Sequence, residues 1–259
     1  MDRDTLTKKQ RWQIADLMAQ DRLKALNAQC ETVKVRDTFY THYAKRVLDI
    51  FFSSIALLVT APINIVLGII TYFDVGRPIF FCQERTGKDG KSFYIIKFRN
   101  MTNEKDERGE LLPPAQRVTK FGKFVRKTSL DELLNFWSIL KGDMSIIGPR
   151  PLVPEYVHRY NARHRQRLSV RPGLECPPHN MKQDVCTWQQ QFENDVWYVE
   201  NISFLTDCKM LINLFRLAID RKSTKVRAAA GRGVFMGYDK NGQAISLKDV
   251  PQEYIDRVA

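Results

Sequence analysis

Apolar residues along the chain are concentrated in one long run. From Val47 to Phe73 the sequence reads VLDIFFSSIALLVTAPINIVLGIITYF, and its only charged residue is Asp49. At about 1.5 Å per residue, a run of roughly 27 residues can cross a bilayer core of about 30 Å as a straight helix. The pattern therefore predicts a membrane segment, which we place within residues 43–77.

Pro62 lies near the middle of this run, and its effect on a helix leaves two topologies to consider. A proline inside a helix removes one backbone hydrogen bond, and each half alone would reach only about 17 to 22 Å. A kinked transmembrane helix and a re-entrant helix hairpin both remain open. Because basic residues flank the run on both sides, the positive-inside tendency favours the hairpin, with Pro62 as its breaker. These flanking residues are Lys45, Arg46, Arg77, Arg85 and Lys88.

The segments around the run carry their own signals. Residues 1–42 are polar, with a few apolar residues at helical spacing, which predicts an amphipathic helix that packs on the rest of the protein. Residues 78–101 contain two strand-like segments around a glycine-bounded turn and predict a β-hairpin. A helix is predicted from Leu130 to Lys141, because Ser129 and Glu132 match a capping box and Gly142 supplies a stop.

Two further segments have the composition of amphipathic helices. The basic sequence EYVHRYNARHRQRL, residues 155–168, suits an anionic surface, and residues 202–222 suit either a core helix or one lying at the interface. The tail, 223–259, is polar and gives no indication of structure. The predicted fold is α+β and mostly helical, with the re-entrant hairpin, a small β-hairpin, interfacial helices and a cytosolic domain over residues 78–222.

The charge of the chain narrows the classes of possible partner, and its cysteine content indicates the cellular compartment. Lys and Arg number 41 against 29 acidic residues, a formal net charge of +12. This excess predicts anionic partners: nucleic acid, an anionic membrane or a phosphorylated substrate. No nucleic-acid-binding module is recognisable, so nucleic acid is not expected. The five cysteines include no CxxC pair and fit a reducing, cytosolic compartment.

Adjacent carboxylates, Asp131 and Glu132, begin the predicted helix and are the candidate reacting groups. The positive end of a helix would keep Asp131 ionised, and an ionised carboxylate can attack phosphorus. Mg²⁺ held by these carboxylates would offset the repulsion between anions. The candidate phosphate-binding cations are Lys97, Arg99, Arg126 and Arg150. On residue chemistry alone, the favoured interpretation is that the two acids are ordinary helix-dipole partners.

The order of motifs resembles that of the small monotopic phosphoglycosyl transferases, a group of bacterial sugar transferases. The resemblance covers about residues 43–222. Its motifs are KRVLD at 45–49, the apolar run broken by Pro62, GRPIFFCQERTGKDGKSF, KFRNM, RKTSLDELLNFWSILKGDMSIIGPRP, RPG at 171–173 and DVWYVENISFLTD from Asp195. So many motifs in one order are highly specific.

The resemblance implies a reaction and a location. It implies that Asp131 attacks the β-phosphate of a uridine diphosphate sugar, that UMP leaves, and that polyprenyl phosphate then takes the phosphosugar. Glu132 would hold Mg²⁺, the four cations would hold phosphates, and Arg171 and Asp195 would lie on the nucleotide side. The resemblance makes residues 78–222 the expected catalytic domain. The expected location is the cytoplasmic face of the bacterial inner membrane, in contact with its lipids, and a homodimer is left open.

One segment departs from the family pattern. After RPG the family has a glycine, tryptophan and glutamine motif, whereas this chain has LECPPHNMKQDVCTW from Leu174. In the family that region lies on the nucleotide side, so the difference bears on the identity of the donor and on activity. The alternative function is therefore a catalytically degenerate membrane protein that binds or regulates a polysaccharide assembly complex.

Overall fold

The structure, a computed structural model, describes residues 3–107, 109–181, 185–219 and 232–258. The described chain is mostly helical with small sheets, which confirms the predicted α+β class. The helices are α1 (Lys8–Gln29), α2 (Lys45–Val75), α3 (Pro114–Arg117), α4 (Lys120–Thr128), α5 (Asn135–Lys141), α6 (Ala162–Arg165), α7 (Trp188–Asn201), α8 (Phe204–Ile219) and α9 (Gln252–Asp256). The strands are β1 (Phe80–Thr86), β2 (Ser92–Phe98), β3 (Ser145–Ile147), β4 (Gly173–Glu175), β5 (Phe235–Tyr238) and β6 (Ala244–Ser246).

The chain forms two compact units. The α2 unit comprises Arg46–Arg85 and Ser92–Ile146, and the terminal unit comprises Met1–Lys45, Thr86–Lys91 and Ile147–Ala259. The single catalytic domain predicted over residues 78–222 is thus divided between two units.

Helix α2 spans 31 residues and continues through Pro62 as one helical element. Together with the π-helical segment Tyr40–Ala44 before it, α2 is long and apolar enough to cross a membrane. Only 11% of its most apolar window of 18 residues is buried. Its start is held by Arg46, which donates to the carbonyls of Ile139 and Leu140 at 2.6 and 2.7 Å. Near its end, Asp74 accepts a 2.6 Å hydrogen bond from Thr119. Both ends are therefore held by residues of the α2 unit itself.

The predicted β-hairpin is confirmed. Strands β1 and β2 pair with each other, and Lys88–Gly90 forms a short 3-10 turn between them. Asp89 and Gly90 both have positive φ there, which is why a glycine-containing turn suits this position. The inner residues of β2, among them Phe93, Ile95 and Phe98, are buried.

The terminal unit contains structure at both chain ends. The predicted N-terminal helix is α1, whose Ile14 and Met18 are buried, as expected for a helix that packs on the protein. The C-terminal residues 232–258 are not the featureless tail that their composition suggested. Strands β5 and β6 pair antiparallel, Phe235 and Met236 are fully buried, and α9 packs on α1.

The prediction of a basic surface helix over residues 155–168 is wrong. This segment is a 3-10 helix (Pro154–Arg159), α6 and a second 3-10 helix (Gln166–Ser169). Arg159, His164 and Arg167 are 1%, 1% and 3% exposed. The side chains of Arg159, His164 and Arg167 each pair with an acidic residue that is distant in sequence. These basic side chains therefore lie in the interior of the terminal unit. By contrast, α8 leaves several apolar residues exposed, as an interfacial helix would: Phe204, Leu205, Leu211, Ile212 and Phe215.

Candidate active site

Asp131 lies in a tight turn between two helices. Helix α4 ends at Thr128, the 3-10 segment Leu130–Glu132 follows, and α5 begins at Asn135. Ser129 joins them in the left-handed conformation, with φ 56° and ψ 23°. This turn, rather than a continuous helix, places the side chain of Asp131, which is 6% exposed.

The predicted capping box at Ser129 is wrong. The Ser129 side chain makes no capping hydrogen bond, and its backbone amide instead donates to the carbonyl of Arg126, closing the end of α4. The predicted stop at Gly142 is confirmed, since this glycine ends α5 with φ 107°. Sequence alone did not distinguish a serine that begins a helix from one that ends the preceding helix.

A small polar network surrounds the two carboxylates. The Nζ of Lys97, on β2, lies 2.7 Å from Oε1 of Glu132. Asn100 donates from Nδ2 to Oδ2 of Asp131 at 3.4 Å, and accepts a 3.0 Å hydrogen bond from Nε of Arg126. The structure thus brings together four of the predicted site residues, with Asn100 linking a cation to the candidate nucleophile.

Close backbone packing holds this network together. A Cβ added to Gly122 of α4 would lie 2.2 Å from the carbonyl oxygen of Asn100. Only glycine allows such an approach, so Gly122 brings α4 and its Arg126 against the end of β2. Thr119 caps α4 by accepting a 2.8 Å hydrogen bond from the Gly122 amide.

The electrostatic state of Asp131 differs from the one expected of a helix N-terminus. Burial raises the pKa of the Asp131 carboxyl above its ordinary value, and the positive charge of Lys97 opposes this rise. Since the 3-10 segment has three residues, it offers little of the aligned dipole of a long helix. The charge of Lys97 is the largest of the influences that favour ionised Asp131.

Arg99 has a structural position in the described chain. It is 8% exposed, and its guanidinium donates to the backbone carbonyls of Arg77, at 3.2 Å, and of Val75. These contacts secure the chain where it leaves α2. A contact between Arg99 and a substrate phosphate stays a prediction.

The remaining predicted residues belong to the terminal unit. The GPRP motif of Arg150 and the RPG motif of Arg171 meet through their glycines: a Cβ on Gly173 would lie 2.1 Å from the amide nitrogen of Gly148. The Gly173 amide also donates to the carbonyl of Pro149 at 3.1 Å. Arg150 itself donates to Oε2 of Glu175 at 3.2 Å.

Asp195 has a buried position in the terminal unit. It is 0% exposed and accepts hydrogen bonds from Arg167, at 2.9 and 2.8 Å, and from Gln191, at 2.8 Å. Its geometry is that of a structural ion pair. A contact between Asp195 and a nucleotide stays a prediction.

Sequence reasoning missed Asn100, which contacts Asp131, and the burial of Asn135 in the helix that follows the turn. Asn100 follows the KFR motif, but a single asparagine after a strand gives no signal of a bond to a carboxylate 31 positions later. Asn135, the first residue of α5, is 4% exposed, and its Oδ1 has no hydrogen-bond partner among the described residues. Its burial could not be inferred from a motif that is mostly apolar.

An apolar groove of about 1070 Å³ adjoins this part of the α2 unit. One wall is the second half of α2, and the others come from the residues around the start of β1. Phe98 and Leu134 also line it, and these are sequence neighbours of Lys97 and of the Asp131 turn. The lining residues are Asn64, Ile65, Gly68, Ile69, Tyr72, Phe73, Arg77, Pro78, Ile79, Phe80, Phe98 and Leu134.

Comparison with known proteins gives a consistent set of relatives. The profile of the family described as bacterial sugar transferase matches residues 40–221. The sugar transferase EpsL of Bacillus subtilis is 40% identical over 64% of this chain and 83% of its own length. The undecaprenyl-phosphate galactose phosphotransferase of Salmonella typhimurium is 32% identical over 70% of this chain and 41% of its own length.

A third relative is named for an amino sugar. It is the UDP-N-acetylgalactosamine-undecaprenyl-phosphate N-acetylgalactosaminephosphotransferase of Aeromonas hydrophila, 31% identical over 67% of this chain and 43% of its own length. The chain therefore spans less than half the length of the Salmonella and Aeromonas relatives, and most of the length of EpsL.

Proposed function

The chain belongs to the bacterial sugar transferase family and is a transferase, and we propose that it moves a sugar 1-phosphate from a nucleotide diphosphate sugar to polyprenyl phosphate. The observation that carries this proposal is the Asp131 turn, where a buried carboxylate lies beside Glu132, Lys97 and Asn100. Undecaprenyl phosphate is the acceptor class in the names of the Salmonella and Aeromonas relatives.

The proposed reaction has two displacements at one phosphorus. A carboxylate oxygen of Asp131 attacks the β-phosphorus of a UDP-sugar, and the bond from that phosphorus to the bridging oxygen breaks, so UMP leaves. A phosphate oxygen of the polyprenyl carrier then attacks the same phosphorus and releases Asp131. Asn100 would orient the carboxylate, and Lys97 and Arg126 would stabilise negative charge on the transferred group.

The carboxylate pair fits Mg²⁺. This ion is commonly held by one or two protein carboxylates, with water and substrate phosphates supplying its other ligands. Among the described residues no group of three or more His, Cys, Asp or Glu side chains is arranged to hold a metal, so Asp131 and Glu132 would bind it together with the donor. Bound there, Mg²⁺ would neutralise charge on the diphosphate. Glu132 would then exchange its contact with Lys97 for the ion.

We propose that the groove receives the apolar chain of the acceptor. Its volume is at the upper end of the range of about 300–1000 Å³ found for small-molecule pockets. The lining is almost entirely apolar, with Arg77 as its charged member. One lining residue, Leu134, is close in sequence to the Asp131 turn, and another, Phe98, follows Lys97. We expect an isoprenoid chain bound in the groove to place its phosphate near the charged lining residue Arg77.

The re-entrant topology remains our proposal for α2, at the cytoplasmic face of the inner membrane. Its support is that both ends of α2 are held by one unit, whereas a straight helix of 31 residues would be about 46 Å long. Phe39, before the helix, is 76% exposed and Cys82, after it, is exposed. In a chain whose other cysteines are replaced, Phe39→Cys and Cys82 should be labelled from the same side of sealed vesicles. Labelling from opposite sides would contradict the re-entrant hairpin.

The function is tested by UMP release from UDP-galactose, UDP-N-acetylgalactosamine and UDP-glucose, with Mg²⁺ and undecaprenyl phosphate. We expect turnover by the wild type and none by Asp131→Asn, with Asp256→Asn, an exposed carboxylate of α9, as the matched control. Donor alone should leave a phosphosugar adduct on wild-type protein in intact mass spectra. Turnover by Asp131→Asn would refute the assigned nucleophile, and inactivity with every donor would favour a non-catalytic membrane protein of polysaccharide assembly.

A further inference from the structure

The two chain ends outside the family match form one body. The match covers residues 40–221, and two described segments beyond it, 3–29 and 232–258, share a hydrophobic core. We call these two segments the terminal module. Its core residues are Leu6, Ile14, Ala15, Met18, Met236, Ile245, Val250, Tyr254 and Ile255. This core is therefore an addition to the shared family fold.

The terminal module covers the segment 154–169, which joins the GPRP and RPG motifs. Asp16 of α1 accepts hydrogen bonds from the buried Arg159 at 3.3 and 3.2 Å, and the Arg159 guanidinium lies 4.4 Å from the ring centre of Trp12. On the other side, Tyr238 Oη accepts a 3.1 Å hydrogen bond from the amide of Asn161. Both chain ends thus hold the same segment.

Arg232 of the module begins a chain of hydrogen bonds that ends at Arg150. Its Nη1 donates to Oε1 of Gln191 at 2.8 Å, and Gln191 donates to Oδ1 of Asp195 at 2.8 Å. Oδ2 of Asp195 accepts from Nη2 of Arg167 at 2.8 Å. Nη2 of Arg167 also donates to the carbonyl oxygen of Arg150 at 2.8 Å.

The middle of this chain is shielded from water. Gln191, Asp195 and Arg167 are 7%, 0% and 3% exposed. Hydrogen bonds among buried charged groups are directional and costly to break, because a partner left behind stays unsatisfied. Loss of one member of this chain would therefore leave a buried partner unsatisfied, whereas loss of an exposed ion pair costs little.

We propose that Arg232, contributed by the terminal module, is a positioning residue that holds Arg150 in the conformation used for donor binding. This inference rests on the proposed function for its consequence in catalysis. Arg232 would act through Gln191, Asp195 and Arg167 and would not contact the substrate. The C-terminal segment would thereby stabilise the GPRP loop in a chain whose sequence after RPG departs from the family pattern.

The first test needs no substrate. Hydrogen–deuterium exchange of the full chain in detergent is compared for wild type, Arg232→Gln and Arg22→Gln. Arg22 is the matched control, since it also belongs to the module and donates to Tyr238, outside the chain of bonds to Arg150. The reporters are the amides of Gly148 and Gly173, bonded to Glu175 and Pro149. Arg232→Gln should speed their exchange by about three- to tenfold, and Arg22→Gln should not.

The second test asks whether Arg232 acts through Arg150. Arg232→Gln should raise the KM for the UDP-sugar by about three- to tenfold with kcat nearly unchanged, and Arg232→Lys should restore part of the loss. In an Arg150→Gln background the further change Arg232→Gln should have no effect on KM. If Arg232→Gln does not fold, Gln191→Leu breaks the same chain of bonds at its next member.

The outcomes separate this inference from the proposed function. An Arg232→Gln protein with wild-type exchange at Gly148 and Gly173 would overturn the positioning role. So would a KM effect of equal size in the presence and absence of Arg150. A wild type that turns over no donor would instead count against the proposed function, while the exchange measurement still decides whether Arg232 holds the loop.

Discussion

Ser129 offers the sharpest comparison between the sequence prediction and the structure. Its φ of 56° places it in the left-handed region, which costs a residue with a side chain about 1–2 kcal/mol. Glycine avoids that cost but adds about 0.4–1 kcal/mol of conformational entropy to the unfolded chain. Ser129→Gly should therefore stabilise the protein by about 0.5–1 kcal/mol. Because the serine side chain makes no capping bond, Ser129→Ala should change stability by less than about 0.5 kcal/mol.

A serine that caps the start of a helix behaves in the opposite way. Replacing such a residue by alanine costs about 1 kcal/mol, and replacing it by glycine costs a few tenths. Ser203 is the internal control, because its Oγ accepts a 3.2 Å hydrogen bond from the amide of Thr206 at the start of α8. Ser203→Ala should be destabilising where Ser129→Ala is not.

Thermal unfolding of the purified full chain in detergent measures the difference. A change of 1 kcal/mol shifts the Tm of a chain of this size by roughly 2–4 °C. We expect a rise of about 1–4 °C for Ser129→Gly and almost none for Ser129→Ala. If Ser129→Ala lowered the Tm as much as Ser203→Ala, and Ser129→Gly gave no rise, the left-handed turn at the candidate nucleophile would be refuted.

Three further predictions concern packing and charge. Lys97→Met removes the charge that most lowers the pKa of Asp131, so the acidic limb of the pH profile for UMP release should move to higher pH; an unmoved limb would contradict this. Gly122→Ala places a Cβ against the carbonyl of Asn100 and should cost about 1–3 kcal/mol, seen as a lower Tm together with reduced turnover. Burial alone would raise the pKa of Glu193, but hydrogen bonds from its basic partners lower it to about 2, below the ordinary 4.5. Its stabilising effect is therefore full above pH 4.5 and is lost as pH falls toward 2, so Glu193→Gln should lower the Tm at pH 7 and match the wild type near pH 2.

Local patterns predicted the elements whose cause is local. The apolar run of α2, the β1–β2 hairpin and the stop at Gly142 each follow from residue types within a few positions. Asp131, Glu132, Lys97 and Arg126 could be named as one group because their motifs point to the same chemistry. Their arrangement through Asn100 could not, since it depends on the meeting of β2 and α4.

The failed predictions have two physical origins: charge pairing between distant residues, and strands too short to produce a pattern. Arg159, His164 and Arg167 look like the polar face of a surface helix, yet they are buried because their acidic partners come from α1 and α7. In the C-terminal region, β5 and β6 are three or four residues long. Strands this short carry too few alternations to stand out among polar neighbours.

The position of Asp131 also explains why its reactivity could not be inferred from a helix terminus. At the start of a long helix, the helix dipole would stabilise the negative charge of a carboxylate nucleophile, and the pKa of the carboxyl group would fall. In this structure a left-handed serine ends one helix, and the carboxylate is buried in the turn before the next. Burial then raises the pKa, and Lys97 works against it. Among the influences on this pKa, Lys97 makes the largest contribution that opposes desolvation, so substitution of Lys97, on β2, should affect reactivity more than substitution of residues along α5.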